Sequence, residues 1–282
     1  MRKALHLRRV FTLCAVFTGF ALTSAVLSKP QQLTFIVPTS GRLSLEQTIA
    51  SLLAQDSGNW LALIVFSDHG LHRAHRKAAC PAFAQDTRIT CYRYTERVYG
   101  NCAGSIRNLG IALSRTQWVA FVDDDDILSS TYTSSFISEV NQQPKLDLLV
   151  FRMYDHRYTS NVKVIPPPDA KNIVRNYVGI SFAFKRSDSA ADYFVESTTE
   201  DYDFIFYFCL DPTKHCIISK YVEYYVKGMA PSTELRQVGE SFSFHTVADV
   251  DEAHATFLYR ASCLNTDITS DGANGNGETL VV

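Results

Sequence analysis

The chain has 282 residues, of which 46% are hydrophobic and 20% charged, and it carries a formal net charge of −2. That length holds one large domain or two small ones and supplies enough apolar material for a proper core. A near-neutral balance without a long basic stripe gives no electrostatic case for nucleic-acid binding.

Arg2, Lys3, Arg8 and Arg9 precede an uncharged apolar segment, Val10–Leu27. It is close to the roughly 20 residues that a bilayer span needs. Basic residues before such a segment favour a cytoplasmic N-terminus. Residues 1–30 are therefore expected to be a cytoplasmic tail and signal-anchor, giving a single-pass type II protein of the Golgi or ER membrane. The alternative is a signal peptide cleaved before Val26, with Thr23 and Ala25 as its small residues, and secretion of the rest. Cys14 lies in this segment, and Cys80, Cys91, Cys102, Cys209, Cys216 and Cys263 follow. They permit disulfides without naming pairs. No CxxC is present, which leaves a structural zinc site without support, and there is no Asn-x-Ser/Thr sequon.

A globular region is expected over residues 31–246. Leu33–Val37 is β-branched and aromatic and reads as a strand stopped by Pro38. The loop PTSGR leads to Ser44 and Gln47 at capping-box spacing, then to Leu45, Ile49, Leu52 and Leu53 at helical period. Trp60–Phe66 is a second strand ending in SDHG, and Ile89–Tyr94 a third. A helix at about Gly104–Ser114 carries Ile106, Leu109, Gly110 and Leu113 on one face. Strand–helix alternation predicts a parallel sheet with right-handed crossovers, the pattern of a nucleotide-binding α/β half.

The next strand, Trp118–Val122, ends in four consecutive aspartates, Asp123–Asp126. Open α/β sheets bind ligands at such C-terminal strand ends. Clustered carboxylates repel one another unless a cation is present, and Mg²⁺ or Mn²⁺ takes one or two carboxylates plus substrate phosphates. The plainer reading is an acidic surface turn. Alternate side chains of an extended segment point to opposite sides, so Asp123 and Asp125 should share a face and Asp124 should matter less. His69, His72 and His75 lie on one polar turn, where solvation is a commoner fate than metal binding.

Beyond the aspartates a helix is expected around Tyr132–Asn141, a strand at Leu146–Phe151, a loop or flap at Pro166–Ala170 and a strand at Gly179–Phe184. Glu200–Leu210 reads as a helix with an acidic start, and His215–Lys227 as strand. The polar tail 247–282 is expected to be partly disordered.

The order LTFIVPTSGR, LIVFSDHG, RNLG, WVAFVDDDD and a later EDYD resembles glycosyltransferase family 2, the inverting enzymes of GT-A fold. The resemblance runs from about Leu33 to Ser232. It implies an α/β fold with a Rossmann-like, mostly parallel nucleotide-binding half and a smaller mixed acceptor-side half. It also implies transfer from a nucleotide-diphosphate sugar, a UDP-sugar above all, to a hydroxyl of a glycan, lipid or protein. Carried over residue by residue, Thr39 and Arg42 border the nucleotide, Asp68 reads the base, and Arg107 and Asn108 lie near the diphosphate. Asp123 and Asp125 are the metal-side pair for Mn²⁺ or Mg²⁺, with Asp126 following. Glu200 and Asp201 are the acidic pair that carries the catalytic base, Asp201 being preferred and Asp203 a substitute. Ser67 replaces the family's first aspartate before Asp68, and His69–Gly70 replace Gly–Ser. Those departures keep open an inactive sugar- or nucleotide-binding domain; a nucleotidyltransferase and a tethered interaction protein are further alternatives.

Overall fold

The computed structural model describes residues 33–67, 85–94, 103–155, 163–187, 192–195, 197, 199–226 and 242–244. Strands β1 (Leu33–Thr39), β2 (Trp60–Ser67), β3 (Ile89–Tyr94) and β4 (Trp118–Phe121) form a parallel array in the order β3-β2-β1-β4. Helix α1 (Leu45–Leu53) follows β1, and α2 (Gly104–Leu113) precedes β4. All seven residues of β1 are buried, as expected for a strand covered on both faces. This is the α/β half that the alternation predicts, with the aspartates at its C-terminal edge.

The remaining elements are β5 (Ile127–Leu128), α3 (Tyr132–Gln142), β6 (Leu148–Asp155), β7 (Lys163–Ile165), β8 (Phe182–Lys185), α4 (Glu200–Leu210), β9 (Cys216–Tyr225) and β10 (Phe242–Phe244). They continue the same sheet past β4 in the order β8-β6-β9-β10. β8 runs antiparallel to β4 and β6, while β6 and β9 are parallel. The smaller half is therefore mixed.

Several boundaries correct the sequence reading. β1 does not stop at Pro38. The Ile36 carbonyl accepts from Val122 N on the β4 side at 3.0 Å. Pro38 presents its nitrogen to that same side, where β4 has already ended, so no ladder bond is lost. The Ser44–Gln47 capping box does not form, because Ser44 already has helical dihedrals and makes no side-chain cap. Successive turns starting at the Arg42 carbonyl satisfy the first helical N–H groups instead. β6 begins at Leu148 and runs on to Asp155, through a buried Arg152 that donates to the carbonyls of Pro166, Pro167 and Pro168. β8 starts only at Phe182; before it, the Ser181 hydroxyl donates to the Phe151 carbonyl and a Cβ at Gly179 would stand 2.9 Å from the Met153 sulfur.

The core crosses the junction of the halves. Phe121 of β4 packs against Phe182, Phe184, Phe194 and Phe204, with centroids 5.0–6.4 Å apart. Phe204 and Phe208 of α4 stack on the same cluster. Such contacts are individually small but directional. They seat the first turn of α4 near the end of β4. A disulfide, Cys209–Cys216, ties the end of α4 to the start of β9. Cys91 is also disulfide-bonded.

Val10–Leu27, Asp68, His69, His72, His75 and the tail 247–282 lie outside the described residues. Among the described residues no helix is long and apolar enough to cross a membrane.

Candidate active site

The aspartate loop is held from three directions. From α1, the Thr48 hydroxyl lies 2.8 Å from the Asp126 carbonyl and 3.4 Å from that of Asp123. From β9, the Tyr224 hydroxyl accepts the Asp123 N–H at 3.1 Å and hydrogen-bonds the Asp126 side chain. From the β1 loop, Thr39 donates to Asp124 at 2.6 Å and accepts from Gly41 N at 2.8 Å. Gly41 has a φ of 85°, a left-handed conformation that glycine adopts without strain. The loop so turned brings Arg42 to Asp125 at 3.1 Å and Asp124 at 3.3 Å.

This scaffold produces the expected alternation. The side chains of Asp123 and Asp125 are 37% and 32% exposed, whereas Asp124 and Asp126 are buried. Burial pushes the Asp124 carboxyl above its usual range, against the Thr39 hydrogen bond and Arg42. Asp124 is thus a tie between β1 and the loop, on the side opposite Asp123 and Asp125.

Arg107, on α2, is the centre of the charge network. Its side chain is 3% exposed. Nη2 donates to Asp123 at 2.6 Å, and Nη1 reaches Glu200 closely and Asp201 at 3.5 Å. Burial opposes the charge, but the three carboxylates outweigh it and hold the guanidinium above its ordinary range. Asn108 beside it grips the backbone of Phe194, donating to the carbonyl at 2.8 Å and accepting from the N–H at 2.7 Å.

The first turn of α4 presents three acids with different fates. Glu200 accepts from Arg107 and from Ala103 N at 3.2 Å, and burial pushes its carboxyl upward while Arg107 opposes. Asp201 is the more open, at 28% exposure against 12% for Glu200. Asp203 is buried and accepts from Ser197, from Thr199 at 3.0 Å and from Arg175 at 3.5 Å. Asp203, the alternative base of the sequence reading, is thus taken up by three donors of its own surroundings. The structure therefore brings Asp123, Arg107, Glu200 and Asp201 into one cluster, with Arg42 and Asp125 beside it. Thr39 and Asn108 are drawn into the framework around that cluster.

The profile of Glycosyl transferase family 2 matches residues 34–186, more than half of the chain. The chain belongs to glycosyl transferase family 2. Its fold is also that of solved glycosyltransferases. The Staphylococcus aureus protein TarS (residues 1–349, in complex with UDP-GlcNAc) superposes with a TM-score of 0.54 at 14% identity, over 71% of this chain and 60% of that one. A mannosyltransferase from Pyrobaculum calidifontis, in complex with GDP-Man and Mn²⁺, gives 0.53 at 16% identity, over 74% and 59%. The chain thus spans about 60% of the length of these neighbours. No curated protein sequence matches it significantly.

In this family-2 glycosyltransferase domain Asp123 and Asp125 are the two partly exposed aspartates on one side of the loop that could face a cation. Among the described residues no group of three or more His, Cys, Asp or Glu converges on a metal position. Two carboxylates nevertheless fit a hard divalent ion that takes its other ligands from water and phosphate. Sequence reading missed Thr48 and Tyr224. A Thr inside an amphipathic helix and a Tyr inside an apolar strand carry no local mark of what they will touch.

Proposed function

We propose that the protein is a metal-dependent inverting glycosyltransferase that moves a sugar from a nucleotide-diphosphate sugar to a hydroxyl acceptor. The observation that carries this reading is the pairing, through Arg107, of the outward Asp123 at the end of β4 with the acidic start of α4. Donor-side and acceptor-side carboxylates thereby share one cluster. The UDP-GlcNAc held by one neighbour, and the GDP-Man and Mn²⁺ held by the other, support this donor class and a divalent cation.

Asp125 and Asp123 would hold Mn²⁺ or Mg²⁺ together with donor phosphate oxygens. The ion would neutralise charge that grows on the departing diphosphate. Arg42, beside Asp125 and half exposed, is placed to meet the same phosphates. An acceptor hydroxyl is a weak nucleophile. Asp201 takes its proton as the new C–O bond forms, and the electron pair of the old glycosidic bond leaves with the diphosphate. One displacement with one base inverts the anomeric centre. The resemblance favours a UDP-sugar, with Asp68 reading the base.

We also propose a secretory-pathway location with Val10–Leu27 as anchor. The Cys209–Cys216 disulfide supports an oxidising compartment. Protease protection of the C-terminus in sealed microsomes tests it, and digestion without detergent would exclude it. Activity is tested by incubating the purified domain with a panel of UDP- and GDP-sugars, glycan, lipid and peptide acceptors, and Mn²⁺ or Mg²⁺. Cation-dependent release of nucleoside diphosphate with an inverted product is expected. Release of diphosphate from a nucleoside triphosphate would instead mark a nucleotidyltransferase.

A further inference from the structure

We propose that Arg107 is a positioning residue that holds the metal-side carboxylate Asp123 and the base-bearing start of α4 in one frame, and that it does not itself bind donor phosphate. The inference rests on the glycosyltransferase reading above and assigns a role within that site.

Both terminal nitrogens of the guanidinium are already directed at carboxylates from two distant parts of the chain. With its side chain 3% exposed, Arg107 cannot reach a phosphate without abandoning them. Its plane is closed by the Phe194 ring, 5.3 Å from the guanidinium carbon. Asn108 fixes that ring's backbone, so the Arg–Asn pair works as a unit: one grips the carboxylates, the other holds the wall. Gly104, one turn earlier, completes the seat. A Cβ there would stand 2.8 Å from Glu200 Oε2 and 3.0 Å from Phe194 Cβ.

The unequal contacts divide labour between the two acids. Glu200 pairs with Arg107 and is the more buried, so it anchors α4. Asp201 is 3.5 Å from Arg107 and more open, so of the two it is the one an acceptor can approach. A planar fork serves two carboxylates at once, whereas a lysine ammonium is a single point charge. A phosphate, by contrast, can also be met by a lysine acting as a point charge.

The test compares Arg107→Lys with wild type, using calorimetric binding of UDP and GDP in EDTA and in Mn²⁺ and nucleoside diphosphate release from the sugar panel. The positioning role predicts that Arg107→Lys keeps diphosphate affinity in EDTA within about threefold, loses affinity only in Mn²⁺, and lowers kcat by about 10²-fold or more. A kcat within about threefold of wild type, or an affinity loss of equal size in EDTA and in Mn²⁺, would overturn it. A second measurement needs no turnover. Asp123→Asn and Glu200→Gln share Arg107, so their melting-temperature losses should be non-additive by about 3 °C or more in the double variant. Additive shifts would also overturn the proposal. If wild type cleaves no nucleotide sugar, the functional reading fails, and the stability cycle alone decides whether Arg107 couples the two carboxylates.

Discussion

The Tyr224 hydroxyl, on β9, accepts the backbone N–H of Asp123 at 3.1 Å. A strand of the mixed half thus holds the first aspartate of the parallel half, and the hydroxyl lies within hydrogen-bonding reach of the buried Asp126 side chain as well. Tyr224→Phe should leave Asp123 N–H without a partner in a buried setting. A loss of about 1–3 kcal/mol in denaturant unfolding is expected. Mn²⁺-dependent diphosphate binding should weaken with it, since the loop that carries Asp123 and Asp125 loses its brace. Unchanged stability and binding would show that the loop is held elsewhere.

Asp125→Ala should abolish transfer and weaken diphosphate binding in Mn²⁺, with the fold intact. Its carboxylate faces solvent and its partner Arg42 is itself half exposed. Removing one of four neighbouring acids relieves repulsion, so the unfolding midpoint should stay level or rise. Asp123→Ala should lose transfer too, but at a stability cost of at least about 1 kcal/mol, because it strands one end of the buried Arg107. Undiminished transfer by Asp125→Ala would remove its role at the cation.

Asp201→Asn should lower turnover by about 10²-fold or more while nucleotide-sugar affinity stays within a few-fold, the separation that marks a base. Asp203→Asn should instead cost about 1–3 kcal/mol of stability, since it accepts from Ser197, Thr199 and Arg175. Normal turnover by Asp201→Asn together with a dead Glu200→Gln would move the base to Glu200.

Gly110→Ala sets two effects against each other. Alanine is intrinsically better in a helix by about 1 kcal/mol. Its Cβ, however, would lie 2.5 Å from Ile36 Cγ2 in the fully buried core. Overpacking costs about 1–3 kcal/mol. Net destabilisation is expected in a denaturant midpoint measurement, and a stabilised variant would show that α2 can lift off β1 freely.

Asp86 offers a pH test remote from the site. Hydrogen bonds from the Arg88 side chain and backbone hold its carboxyl down, from an ordinary 3.8 to about 2. The folded value lies below the unfolded one, so its contribution to stability is present above pH 3.8 and is lost as pH falls toward 2. The melting-temperature gap between wild type and Asp86→Asn should therefore narrow between about pH 6 and about pH 3. A constant gap would mean that the carboxylate charge is not what Asn removes.

Much of the architecture was legible because its determinants are local. Runs such as Trp60–Phe66 and Trp118–Val122 bury both faces of a strand, and the period of Leu45, Ile49 and Leu52 buries one face of a helix. Glu200–Leu210 coincides with α4. The alternation of Asp123–Asp126 also followed from an extended backbone, and its exposures agree. Tertiary structure decided what these residues touch. Pro38 could stay inside β1 only because β4 ends beside it. Arg152 could extend β6 only because the Pro166–Pro168 carbonyls fold back to receive its charge. Asp124 became a buried tie through Thr39, and Asp203 an acceptor for three donors. Arg107 meets Glu200 and Asp201 only once Phe121, Phe184 and Phe204 have packed α4 against the end of β4. Periodicity reports which way a side chain faces along its own element; a partner nearly a hundred residues away is chosen by how the elements pack.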